Sequence, residues 1–255
     1  MRLVDLSVSI EADAPFEAFP VKVEFRSHDG AGLEFFKERF GVTEADLVYS
    51  GGRGAGDEML TLLSHSGTHV DAPFHYGPIS EGRPAATIDE LPLEWFFSDG
   101  VVLDLRHKRP RETIEIADLE ATLGAISYEL RPLDIVLLQT GCDRKLDSAE
   151  YFEQPGMGRE STLWLVEQGI RVIGIDAFGF DRPFAAMAED FRRTGDGRHT
   201  WPAHFAGITR SYCQIEKLAN LDRIGRPHGF RVSAFPVKIR GASAGFARVV
   251  AFVDD

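Results

Sequence analysis

The sequence predicts a mixed α/β fold, and three observations lead to it. Residues 134–140 (D-I-V-L-L-Q-T) and 171–176 (R-V-I-G-I-D) are almost wholly apolar, as strands buried on both faces are. Between them, residues 160–168 carry Leu163, Trp164, Leu165 and Val166, and Gly169 is placed to close a helix. The run therefore reads strand, helix, strand: a βαβ unit. Near the end of the chain, residues 230–239 and 245–253 flank the turn Gly241-Ala242-Ser243-Ala244 and read as an antiparallel hairpin. No repeat, low-complexity tract or linker divides the 255 residues, so a single domain over residues 1–255 is expected.

Taken in order, Leu3, Leu6, Val8 and Ile10 among small polar residues predict a first strand. Residues 11–56 lack a clear period, with Phe16, Phe19, Phe25, Phe35, Phe36 and Phe40 spread between charges and glycines. Together with the first strand they are expected to form an aromatic-rich binding arm over residues 1–56. Gly51-Gly52-Arg53-Gly54-Ala55-Gly56 lacks the Gly-Lys-Ser/Thr ending of a phosphate loop and reads as a flexible loop. Residues 59–65 read as a strand, 100–105 (G-V-V-L-D-L) as another, and 116–124 as a helix closed by Gly124.

Chemistry concentrates in residues 64–76, S-H-S-G-T-H-V-D-A-P-F-H-Y. Three of the eight histidines, His65, His69 and His75, sit there with Asp71. Imidazole and carboxylate are the ligands that divalent zinc, manganese and iron accept. His69 and Asp71 are two apart, so on extended backbone they share a side. Gly67 and Pro73 argue against a helix and for a strand leaving through a tight turn, which can swing His65 and His75 inward. His65 and His69 have the i, i+4 spacing of a helical zinc motif, but no Glu follows His65.

A metal centre needs more ligands than this cluster holds. Trp201-Pro202-Ala203-His204 followed by Glu216 is one source; spacing alone ranks His204 no higher than His199 or His228, nor Glu216 above other acids. Asp176, at a strand end, is either a supporting residue of the site or a helix cap.

Composition excludes several classes. A formal charge of −12 argues against a nucleic-acid footprint. No apolar run approaches bilayer length, and residues 1–10 have no signal-peptide core, so a cytoplasmic protein is expected. Cys142 and Cys213 have no ligand spacing and read as buried structural residues of a reducing compartment.

The segment from His65 to His75 matches H-x-G-T-H-x-D-x-P-x-H and so resembles the cyclase family of metal-dependent hydrolases, which includes bacterial kynurenine formamidase and isatin hydrolase. That family also has a distal His followed by Glu twelve residues later, which His204 and Glu216 fit. The resemblance implies a swivelling β/β/α fold, a site of one or two zinc or manganese ions, and a homodimer or homotetramer. It implies that His65 and His69 hold a first ion and His204 a second, that Asp71 and Glu216 bridge them, and that His75 is the general acid/base.

The expected activity is hydrolysis of an amide C–N bond in a small aromatic substrate, an isatin-type cyclic amide first. An N-formyl arylamine or a lactone would use the same chemistry. A His of ordinary pKa about 6.5 can take a proton from water and return it to the leaving nitrogen. A non-catalytic metal-binding protein would be expected to lack some of these six residues, and all six are present.

Overall fold

The apolar runs that the sequence marks as buried strands form the middle of a nine-stranded mixed sheet in the computed structural model, which describes residues 1–254. The chain divides into two compact units, one of residues 1–10 with those from 64 onward, the other Glu11–Leu63.

The strands of this sheet are β1 (Arg2–Asp5), β2 (His69–Asp71), β3 (Phe97–Asp104), β4 (Ile135–Gln139), β5 (Val172–Ile175), β6 (Cys213–Glu216), β7 (Phe230–Ser233), β8 (Ala244–Phe246) and β9 (Val250–Val253). Their order across the sheet is β1-β9-β7-β3-β4-β5-β6-β2-β8. Within this sheet the four strands β3 to β6 run parallel, and the other pairings are antiparallel. Parallel strands need long crossovers, supplied by α2 (Ile116–Ala125) and α3 (Arg159–Glu167), introduced after the short α1 (Pro73–Tyr76). Two further helices, α4 (Phe184–Thr194) and α5 (Pro202–Thr209), lie between β5 and β6. Ile135, Val136, Leu137 and Leu138 of β4 are fully buried, which explains a strand with no polar alternation.

The βαβ expectation holds as β4–α3–β5, with Gly169 in the left-handed region (φ +91°) just past the helix. The C-terminal hairpin does not hold in the expected form. β7 and β9 are antiparallel neighbours, Arg231 opposite Phe252. The chain between them leaves to lay β8 along β2, Phe246 opposite His69, before it returns. Local turn chemistry suggested a simple reversal; pairing with a strand some 170 residues away in sequence took one arm of it.

The smaller unit corrects the expectations for residues 11–65. Lys22–Arg26 and Asp57–Thr61 pair antiparallel, so the strand expected at 59–65 ends before the histidine cluster and belongs to this unit. A helix, Ala31–Phe40, occupies the stretch that showed no period; Leu33, Phe36 and Phe40 fall at i, i+3, i+7, and Gly41 caps it at φ +66°. Gly54 explains the glycine run: a Cβ there would stand 2.2 Å from the Gly32 carbonyl oxygen, so two backbones meet where no side chain fits. Among the described residues, no helix is long and apolar enough to cross a membrane.

Candidate active site

Strand pairing assembles the centre. In β2 the residues His69 and Asp71 are both buried, and the register with β6 sets Glu216 opposite His69. Cross-strand neighbours stand about 5 Å apart at Cβ. His69 Nε2 accordingly lies 3.3 Å from Asp71 Oδ1 and 3.6 Å from Glu216 Oε2. Just before β2, Gly67 takes φ +60°, the left-handed turn that brings His65 round until its Nδ1 is 2.8 Å from Asp71 Oδ1. Just after β2, Pro73 opens α1 as its first residue, where a missing N–H costs nothing, and His75 follows on the same turn. The His65 and His75 rings are 4.2 Å apart.

His204 arrives from α5, and a residue the sequence reasoning missed puts it there. The Asp181 carboxylate accepts the N–H groups of Ala203 (2.8 Å) and His204 (3.0 Å), capping the helix from outside, and also accepts His204 Nδ1–H. With its proton on Nδ1, His204 directs the Nε2 lone pair at Glu216 Oε1 (3.6 Å) and Asp71 Oδ2 (3.9 Å). His69 behaves alike: Nδ1–H donates to the Gly67 carbonyl (2.9 Å) and frees Nε2. Carboxylates and carbonyls behind ligand histidines fix ring orientation in this way. An Asp before Arg182-Pro183 carries no local signature of such a role. Asp176, by contrast, accepts Thr140 N–H and Oγ–H and Gly141 N–H, and so fastens the turn after β4. It caps no helix.

The donor set fits a divalent cation. Asp71 is fully buried, yet no backbone or hydroxyl donor serves either of its oxygens; only imidazole nitrogens stand near, His65 Nδ1 and His69 Nε2 against Oδ1, neither in good hydrogen-bond geometry. Stranding a buried carboxylate is expensive unless a cation or donor meets it. Two groups have ligand atoms all within 4.8 Å of one another: His65, Asp71 and His75, and His69, Asp71 and Glu216. Asp71 belongs to both, the position of a bridge. Glu216 also accepts Phe180 N–H (2.9 Å), and His65 Nε2 lies 3.0 Å from Ser243 Oγ, the residue that the excursion to β8 brings in.

Protonation follows from burial and neighbours. Asp71 sits well below the usual carboxylate range although burial opposes this, because His69 and His65 favour its charge. Burial and the Asp71 charge push Glu216 up. Burial, with the nearby imidazoles adding to it, lowers His75 to about 4, so its ring is neutral at pH 7. His107 lies beside Asp118 and His228 stacks on Tyr128, both apart from these groups. Cys142 and Cys213 are buried free thiols, as expected.

A family model described as Putative cyclase matches residues 4–182. The chain is 29% identical over 196 residues to a kynurenine formamidase of Erythrobacter litoralis, covering 75% of this chain and 74% of that protein. It is 30% identical over 124 residues to a kynurenine formamidase of Bacillus cereus; there the match covers 48% of this chain and about half (51%) of the relative. Isatin hydrolase A from Labrenzia aggregata, bound to benzyl benzoate, superimposes with a TM-score of 0.75 at 23% identity, covering 100% of this chain and 94% of that one. Isatin hydrolase A from Ralstonia solanacearum gives 0.77 at 22% identity, covering 99% and 92%. At such identities the structural likeness establishes the fold.

Proposed function

We propose that this chain, which belongs to the cyclase family, is a metal-dependent hydrolase that cleaves an amide C–N bond of a small aromatic substrate. The observation that carries the reading is Asp71: a fully buried carboxylate that no backbone or hydroxyl donor serves, faced only by the nitrogens of His65, His69 and His204. When bound there, a zinc or manganese ion, singly or as a pair, supplies an acidified water and polarises the carbonyl it faces. Asp71 would bridge, with His65, His69, His204 and Glu216 completing the set; Asp181 and the Gly67 carbonyl hold two of those rings in their ligating tautomer.

His75 stands beside His65 and is neutral at pH 7, so it has a nitrogen free to accept a proton, although its pKa of about 4 makes it a weaker base than the ordinary imidazole expected from the sequence. Returned to the amide nitrogen, that proton makes the amine a leaving group. The full-length structural match to isatin hydrolases supports an isatin-type cyclic amide as the first substrate. The sequence relatives named kynurenine formamidase favour a second reading, an N-formyl arylamine. A lactone remains within reach of the same chemistry.

Elemental analysis with turnover of isatin, N-formylkynurenine, a simple lactone and a hydantoin tests the proposal. A metal-replete protein that cleaves none of them overturns it. Light scattering tests the homodimer or homotetramer and fractionation the cytoplasmic location that accompany this reading.

A further inference from the structure

Trp201 is the N-cap of α5 and takes φ +51°, ψ +47°, a left-handed conformation that bulky L-residues avoid. Glycine or asparagine would sit there with little strain; this chain carries an indole instead. That indole lies face to face with His204, centroids 4.2 Å apart and planes 11° from parallel. It stands edge-on to His75 at 5.3 Å. Phe184, the first residue of α4, comes within 6.0 Å of it although 62% exposed. Phe205 stands perpendicular to it at 5.9 Å. Trp201 thus stands beside both His75 and His204 and is only half-buried, and Phe184 from α4 extends it outward. An exposed phenylalanine alone needs no explanation. One that extends a strained tryptophan beside His75 and His204 forms an aromatic wall.

We propose that Trp201 and Phe184 select the substrate by stacking against its arene, so that the site takes aryl amides in preference to aliphatic ones. The inference rests on the hydrolase reading above. Offset or edge-to-face packing of two rings fixes the plane of the arene, and with it the direction from which its carbonyl meets the histidine cluster. Trp201 and Phe184 are then specificity-determining residues, with no proton to move.

The test compares two formamides with the same scissile bond, formanilide and N-ethylformamide, on the metal-replete full chain. Trp201→Ala is expected to raise KM for formanilide about three- to ten-fold, the worth of an aromatic pair, while KM for N-ethylformamide stays within about twofold. Trp201→Phe should retain most of the preference. An equal loss of kcat on both substrates would mean that Trp201 merely props His204, and overturns the proposal. Calorimetric titration with anthranilate and with cyclohexanecarboxylate reads the wall without turnover: only anthranilate should weaken in Trp201→Ala. If the wild type hydrolyses neither formamide, this titration decides the wall alone, and turnover of isatin and N-formylkynurenine decides the hydrolase reading separately. If Trp201→Ala does not fold, Phe184→Ala at an exposed position decides: a selective rise in the aryl KM supports the wall, and no change overturns it.

Discussion

Replacing Asp181 with alanine isolates what holds His204. The carboxylate accepts two backbone N–H groups at the start of α5 and the His204 ring N–H, and both residues are almost completely buried. Alanine leaves three donors without an acceptor. Each stranded donor costs about 1–3 kcal/mol, part of which entering water recovers, so a loss of about 3–5 kcal/mol in stability is expected. The ring is then free to carry its proton on Nε2, pointing hydrogen instead of a lone pair at Asp71 and Glu216. Loss of such a support typically costs about 10–100-fold in metal affinity or activity. Asp181→Asn should be milder, because an amide oxygen can stay against the His204 N–H groups and leave only Ala203 unpaired. Metal content by elemental analysis, chemical denaturation and kcat/KM on isatin measure the three effects. An Asp181→Ala protein with the metal content and kcat/KM of the wild type would refute the reasoning.

Further outcomes follow from the same geometry. His75→Ala should keep its metal yet lose about 10²–10⁴ in kcat; full activity would remove His75 from the reaction. Asp71→Ala should lose both metal and activity, since among the described residues no other carboxylate belongs to both ligand groups; retained metal on elemental analysis would contradict this. Gly156→Ala places a Cβ 2.1 Å from the Asp181 carbonyl carbon, so it should displace Asp181 and lower kcat/KM far more than a surface Gly→Ala change; wild-type kinetics would refute it. Asp176 is pushed by burial up to about 7, against an ordinary 3.8. Its proton is held more tightly folded than unfolded, so its stabilisation is full below about 4 and fades as pH rises through about 7. The gap corresponds to about 4 kcal/mol. Urea midpoints at pH 5 and pH 8 should therefore differ less in Asp176→Asn than in the wild type, and equal differences would count against it.

What the residues alone determined is what lies within a few positions along the chain. His65, His69, Asp71 and His75 fall within eleven residues, so strand alternation, a left-handed glycine and a helix-opening proline suffice to aim them. The buried strands β4 and β5 were legible because an apolar run has no second use. His204 and Glu216 were located by resemblance, since their spacing was compatible with other pairs. The helix Ala31–Phe40 left a faint period that its charges and aromatics masked. The tertiary structure decided everything that depends on which strand lies beside which. It set Glu216 across from His69, took β8 out of the C-terminal hairpin to bring Ser243 to His65, and placed Asp181 behind His204. Those partners are set by sheet register and helix capping across long stretches of chain, and sequence patterns carry information only about neighbours one or two turns away.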